Sequence, residues 1–423
     1  MNYLVETLGC KVNTYESEAL KSLLDLEGYK LNKDCPDIIV INTCSVTSVS
    51  DQKCRQKIRS LIRQFPKAIM VVMGCYAQME PKTILDIQGV CIVVGTSNRQ
   101  LIPHLIKQYL VTKKPICIVE KNNRDFTYES LEVTSYYENT RAFLKIQDGC
   151  DNFCSYCIIP YARGKMRSRP KNDVLKEVNE LLNNGFKEIV LTGIHTAGYG
   201  QDLKNYVFTD LLEDILKDKR LKRLRISSIE ESEITDKFIE MIYKNDVLAR
   251  HLHMPLQSGS NTVLKRMNRK YTREDFLNKI NKIRSLIPDI SITTDIIVGF
   301  PGETEEEFLE TMEFAKICKF AKIHVFPFSA RKGTPAALAK NQISGDIKKD
   351  RVRRLISLSN KLEREYQMMF EGKKIDVLFE EYDDKLGLYK GHSSNYLLAY
   401  LKSNHNLHNE MLEITYKKLD SVK

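Results

Sequence analysis

Short apolar runs alternate with amphipathic, helix-like stretches along most of this 423-residue chain, and that alternation admits few folds. In the first hundred residues the runs fall at 3–5, 38–41, 69–73 and 91–94. Between them Ala19, Leu20, Leu23, Leu24 and Leu26, then Ile58, Leu61 and Ile62, recur at helical spacing. Strands alternating with helices predict a parallel sheet covered on both faces, closed by a helix over 98–110. From Arg141 the alternation resumes, with strands predicted at 142–146, 188–192, 223–226, 251–256, 291–298 and 322–328 and helices such as 173–184 and 273–286. Six such units fall short of eight, so the prediction is an open, partial (β/α)6 barrel. Near the C-terminus, 372–381, 396–401 and 411–416 alternate like strands between turns and predict a small antiparallel β-barrel. The expected fold class is α/β. Residues 1–113 make an N-terminal parallel-sheet domain, 114–138 a polar linker, 139–368 the barrel core and 369–423 a small C-terminal domain. The linker includes Lys121-Asn122-Asn123-Arg124-Asp125 and Tyr136-Tyr137-Glu138-Asn139, which lack periodicity.

Cys150, Cys154 and Cys157 stand in the loop after the first barrel strand, where barrels build active sites. Their Cys-x3-Cys-x2-Cys spacing suits three corners of a cubane iron–sulfur cluster, leaving the fourth iron open for chemistry. Zinc sites normally draw on a second Cys or His pair, and no such pair lies nearby. A disulfide suits neither this close spacing nor a chain that reads as cytoplasmic.

Cys10, Cys44 and Cys75 each follow one of the first three strands. Strand ends of one polarity share one sheet edge, so three cysteines some thirty residues apart converge there and predict a second cluster. Gly9 and Gly74 precede two of them and let the backbone approach a bulky group. The bland alternative is three ordinary buried cysteines, and it is the preferred reading for Cys35, Cys54, Cys91, Cys117 and Cys318.

Further polar residues sit at barrel strand ends: Ser228 and Glu230, Gln257, and Asp295. Such residues suit a ligand bearing an amine and a carboxylate, although Ser-Gly and Pro-Gly pairs also simply make turns. For His195, a loop hydrogen bond and a catalytic role are equally open. The first residues show no basic segment followed by a long apolar stretch, and no run is apolar enough to span a membrane, so no signal peptide or membrane segment is expected. Eleven scattered cysteines suit a reducing compartment with some bound to metal.

Together these motifs resemble the radical S-adenosylmethionine enzymes, and more narrowly the methylthiotransferase family, over nearly the whole chain. The resemblance rests on Cys150, Cys154 and Cys157, with Tyr156 beside the last, and equally on Cys10, Cys44 and Cys75. It implies two [4Fe–4S] clusters and S-adenosylmethionine, with Tyr156, Ser228, Glu230, Gln257 and Asp295 around the latter. It also implies an electron donor such as flavodoxin or ferredoxin, a tRNA anticodon stem-loop as partner, and an RNA-binding TRAM domain at the C-terminus. The segments Leu8-Gly9-Cys10-Lys11-Val12-Asn13, Gly74-Cys75-Tyr76-Ala77-Gln78, the stretch Tyr161 to Arg169 and Ser329 to Ala337 resemble one subgroup. That subgroup adds a methylthio group to carbon 2 of N6-threonylcarbamoyladenosine in tRNA. Glu231 departs from the pattern, which has Pro there. Rival readings are a methylthiotransferase for isopentenyladenosine or a ribosomal protein, and a non-catalytic iron–sulfur RNA-binding protein.

Net charge is +10, which agrees with a polyanionic partner. Six basic residues (Arg141, Lys145, Arg163, Lys165, Arg167 and Arg169) face two acidic ones from Arg141 to Pro170, and twelve face five from Arg331 to Lys374. Both stretches are expected to track phosphates, with a solvated helix face the equal alternative for Lys348 to Arg354. Residues 369–423 carry a net charge of −1, a poor footprint for a phosphate binder.

Overall fold

The computed structural model describes residues 1–120, 127–131, 133 and 140–419. The two polar linker motifs fall outside the described residues. The N-terminal sheet holds six parallel strands: β1 (Asn2–Thr7), β2 (Lys30–Leu31), β3 (Ile38–Thr43), β4 (Ile69–Gly74), β5 (Val90–Val94) and β6 (Ile116–Ile118), in the order β2-β1-β3-β4-β5-β6. Every residue of β3, β4 and β5 is buried, because helices cover both faces of a parallel sheet. Leu20, Val40 and Ile106 pack on one face, and Ile39, Ile58 and Val72 on the other. Strand β6 lies where the linker was expected. It is three residues long, too short to show a period, and pairs with β5.

The barrel is built from β7 (Arg141–Asp148), the short antiparallel β8 (Arg167–Ser168), β9 (Glu188–Gly193), β10 (Arg223–Ile226), β11 (His251–His253), β12 (Ser291–Val298) and β13 (Lys322–Pro327). They form two runs, β10-β9-β7-β8 and β11-β12-β13, joined where Leu224 bridges Leu248 beside β11. The six parallel strands stop short of closure, as expected. Strand alternation divides the side chains cleanly. Ala142, Leu144, Ile146, Ile189, Leu191, Leu224 and Ile226 join the outer core against the helices. Arg141, Lys145, Glu188, Arg225, His251, His253 and Asp295 are left for the concave face.

Three helices matter for the site. Helix α1 (Lys11–Leu26) leaves the N-terminal sheet and packs against β7. Helix α2 (Ile159–Arg163) follows the cysteine triplet, and α3 (Gly345–Met368) lies along β13. The C-terminal residues form an antiparallel sheet of β14 (Lys374–Asp383), β15 (Leu388–Ser393), β16 (Leu398–Leu401) and β17 (Met411–Thr415), in the order β16-β15-β14-β17. Strand β15 was not foreseen; Gly391 and Ser393 blur its apolar alternation. This sheet seats on the barrel base through Arg225, whose guanidinium donates to the carbonyls of Ser394 and Ser393 at 3.1 and 3.0 Å.

Candidate functional site

Cys10 caps α1, Cys44 follows β3, and Cys75 opens a short helix after β4, so all three stand at the C-terminal edge of one sheet. The Asn13 side chain stitches the loops, donating to Leu8 O at 2.8 Å and Thr43 O at 3.1 Å. A Cβ added at Gly9 would lie 2.8 Å from Cys44 Cβ, and one at Gly74 would lie 2.5 Å from Thr43 O; φ is +125° and +101°. Only glycine fits either cradle. Burial pushes the Cys44 thiol up to about 12, with Cys75 and Cys10 adding to the effect, and burial raises Cys75 as well. These thiols give up their protons only to something that binds sulfur.

The second triplet lies on the barrel rim. Cys150 N donates to Gly164 O at 3.1 Å and Cys157 N to Cys154 O at 2.9 Å, which winds the loop around its sulfurs. Burial pushes both Cys150 and Cys157 up to about 12. Arg269 donates to Cys154 Sγ at 3.3 Å, and Arg163 donates to Cys75 Sγ at 3.2 Å. A guanidinium on sulfur suits a thiolate better than a neutral thiol. Neither triplet gathers its sulfurs within 4.8 Å of one another; among the described residues only His253, Asp295 and His324 form such a group. Tetrahedral zinc would draw thiolates to roughly 3.8 Å of one another, closer than the sulfurs of either triplet stand here.

A buried ion network joins the two loops. Arg163, fully buried at the end of α2, reaches Glu16 at 2.7 Å, Asp148 at 3.0 Å and Asn13 at 3.1 Å while holding Cys75. Lys145 adds bonds to Glu16 at 2.9 Å and Asp148 at 2.7 Å. Burial alone would raise the Glu16 carboxyl, but Arg163, Arg99 and Lys145 overcome it and hold it well below the usual range. Asp148 lies two residues before Cys150, so one arginine spans from the first triplet's loop to the second's.

The residues expected around S-adenosylmethionine divide. Tyr156 packs edge-on against Phe300, ring centres 6.5 Å apart. Glu230 pairs with Arg269, which links it to Cys154. Ser228 is half-buried beside Ser227, whose hydroxyl meets Thr196 at 3.0 Å. Gln257 extends β12 pairing, its N–H on Asp295 O at 2.8 Å. Asp295 is not at a strand end. It lies inside β12 on the concave face, 3.2 Å from His253 Nε2, because β12 runs three residues further. His195 Nε2 lies 2.6 Å from Glu233; burial opposes its charge, but Glu233 and Glu230 win and raise its pKa. Glu231, where Pro was expected, opens a single turn to Glu233 and sits 3.5 Å from Lys279.

The basic stretch from Arg141 to Pro170 does not face outward. Arg169 pairs with Glu177 at 2.5 Å, Arg167 with Asp148 at 3.4 Å, and Arg141 with Glu380 at 3.3 Å. Of the six, Lys165 is the exposed one. In the second stretch Arg331 and Arg351 are buried on Asp51 and Glu303. Buried cations demand paired acids, and several of those acids, Glu380, Asp51 and Glu303 among them, come from segments that a local count omits. Sequence reasoning counted Arg163 toward a phosphate track and gave Arg269 no role. The one available signal was His251 and His253, two residues apart on a strand.

Residues 144–315 match the radical SAM superfamily, and residues 2–95 match an uncharacterized family, UPF0004. Threonylcarbamoyladenosine tRNA methylthiotransferase MtaB of Bacillus subtilis is 46% identical over 97% of this chain and 93% of its own length. The chain belongs to the radical S-adenosylmethionine methylthiotransferase family. The MtaB enzyme of Aquifex aeolicus is 38% identical over 90% of this chain and 93% of its own. A tRNA-2-methylthio-N(6)-dimethylallyladenosine synthase of Thermoanaerobacter pseudethanolicus is 37% identical over 100% and 89%. Among solved structures, the radical S-adenosylmethionine methyltransferase TsrM of Kitasatospora setae matches at a TM-score of 0.60 and 14% identity, covering 80% of this chain and 74% of that one, a likeness of fold. As a member of the methylthiotransferase family, this enzyme uses S-adenosylmethionine and a [4Fe–4S] cluster. Among the described residues no helix is long and apolar enough to cross a membrane.

Proposed function

We propose that this methylthiotransferase adds a methylthio group to carbon 2 of N6-threonylcarbamoyladenosine beside the anticodon of tRNA. Cys150, Cys154 and Cys157 hold the cluster that meets S-adenosylmethionine, and Cys10, Cys44 and Cys75 hold a second [4Fe–4S] cluster. The observation that carries this reading is Arg163, which bonds Cys75 and, through Asp148, braces the loop of Cys150. Two thiol triplets so tied favour chemistry that uses both sites on one substrate. Once bound, the clusters supply the electron that cleaves S-adenosylmethionine and the sulfur that is transferred. Arg269 and Glu230 then orient the ligand beside Cys154, and Tyr156 with Phe300 walls that side against water. The choice of the threonylcarbamoyl base is supported by the two MtaB relatives. Residues 369–423 serve as the RNA-binding TRAM domain, after the barrel core of 139–368 and the cluster domain of 1–113. The electron comes from a donor of the flavodoxin or ferredoxin kind.

Anaerobic reconstitution should load about eight iron per chain, and replacing Cys10, Cys44 and Cys75 should remove about half. Four iron in the intact chain would reject the second cluster. Mass spectrometry of tRNA nucleosides decides the substrate: a strain lacking this enzyme should lose the methylthio derivative of threonylcarbamoyladenosine. Loss of the isopentenyl derivative in its place would reject the reading.

A further inference from the structure

Strand pairing gathers one more set of metal-binding side chains, on the concave face of the barrel and outside both cysteine triplets. His324 on β13 stands directly opposite Asp295 on β12, and His253 on β11 stands opposite Thr293, two residues earlier on β12. Residues two apart on a strand share a face, so the three side chains project from one patch of the lumen wall. Their donor atoms all lie within 4.8 Å of one another, the one such group among the described residues. His253 Nε2 is 3.2 Å from Asp295, and the rings of His253 and His324 have their centres 5.6 Å apart.

Two ligands about 2.1 Å from one ion stand roughly 3 to 3.4 Å apart at octahedral or tetrahedral angles. His253 Nε2 and Asp295 already keep that separation. His324 is exposed, so a turn of its side chain closes the remaining gap. A histidine that holds a metal through one ring nitrogen normally has the other bonded to an oxygen, which fixes the ring. His253 meets this condition, with Nδ1 2.9 Å from Thr293 Oγ1 and Nε2 aimed at Asp295. The arginines that β7 and β10 send to the concave face are spent elsewhere, Arg141 on Glu380 at 3.3 Å and Arg225 on Glu188 at 2.7 Å. Among the described residues no lysine or arginine pairs with Asp295, which leaves its carboxylate for another cation. A plain histidine–aspartate ion pair accounts for two of the three donors and asks nothing of His324.

We propose that His253, Asp295 and His324 bind one divalent transition ion, of the zinc or ferrous class, on the wall of the barrel lumen. Imidazole with carboxylate suits such ions. Two histidines and one carboxylate leave coordination positions open, unlike a closed structural site. Asp295 keeps 29% of its side chain accessible, so those positions face the lumen and take water or an oxygen-bearing ligand. The site uses no cysteine and stands whichever tRNA base is modified.

Zinc serves as the probe. The cluster-loaded enzyme is equilibrated with zinc ions, freed of loosely held metal by gel filtration, and examined by metal analysis and zinc K-edge X-ray absorption. Wild type should hold about one zinc per chain, with nitrogen and oxygen alone in the first shell at about 2.0–2.1 Å. His324→Ala and Asp295→Asn should each weaken zinc binding about tenfold or more, with iron content unchanged. His324→Cys should keep the ion and bring one sulfur to about 2.3 Å, and it decides the matter should either other variant fail to fold or load iron. Wild type that retains no stoichiometric zinc, or whose zinc carries sulfur in its first shell, overturns the site. So does a His324→Ala enzyme that binds zinc as wild type does, or a His324→Cys shell without sulfur.

Discussion

Glu188 sits fully buried at the barrel base with Arg225 at 2.7 Å and Arg223 at 2.8 Å. Burial alone would raise its pKa, but the two arginines overcome it and bring the carboxyl to about 2, against the usual 4.5. A carboxyl depressed on folding contributes stability above pH 4.5 and loses it as pH falls through about 2, here on the order of 3 kcal/mol. Glu188→Gln should therefore be markedly less stable than wild type at pH 7, with the gap closing toward pH 2. Urea unfolding followed by circular dichroism across that range checks it; a gap that stays constant would show that the charge of Glu188 is not what counts. The same pairing shows what was illegible at this scale. Six cations between Arg141 and Arg169 read as a phosphate track, yet the partners Glu16 and Glu380 lie far away in the chain and Glu177 lies just beyond the stretch. A cysteine spacing, by contrast, is local and was legible at once.

At the scale of the element, the hydrophobic period located the long strands of the N-terminal sheet and of the barrel, since strands such as β3, β4, β10 and β12 are buried along most of their length. The short strands β2, β6 and β8, of two or three residues, carry too few side chains to show a period and went unseen, while the equally short β11 fell inside the longer run expected at 251–256. Strand ends were legible through topology: β1, β3 and β4 are neighbours in a parallel sheet, so their following residues had to converge. The turn at the end of β4 tests this. A methyl group at Gly74 meets backbone at Thr43 O, which cannot swing aside as a side chain does. Gly74→Ala should strip iron from the Cys10, Cys44 and Cys75 site, lose thiolation, and leave reductive cleavage of S-adenosylmethionine intact. Iron counting with assay of 5′-deoxyadenosine distinguishes this from general misfolding, in which both would go. Full iron in Gly74→Ala would mean that the cradle is wider than its contacts allow.

For the whole molecule, the C-terminal sheet is a wall of the barrel as much as an appendage. Its net charge of −1 includes two acids that are spent inward, Asp376 on Arg223 at 2.7 Å and Glu380 on Arg141 at 3.3 Å. Tyr396 lies stacked between His251 and His392, ring centres 4.7 and 4.8 Å away, with the Arg225 guanidinium 4.7 Å from its ring. Removing residues 369–423 would open Arg223, Arg225 and His251 to water and leave Glu188 to balance them alone. An RNA-binding module held only by a tether would come away and cost tRNA affinity while the barrel kept its stability. Here the deletion should lower the melting temperature of what remains and reduce 5′-deoxyadenosine formation even with no tRNA present. Tyr396→Ala makes the same point with one side chain: losing its stacking and cation–π contacts should cost about 1–3 kcal/mol, read as an earlier unfolding transition by circular dichroism. A truncated enzyme that melts like the full chain and still cleaves S-adenosylmethionine at full rate would return the C-terminal sheet to the role of a separable RNA grip.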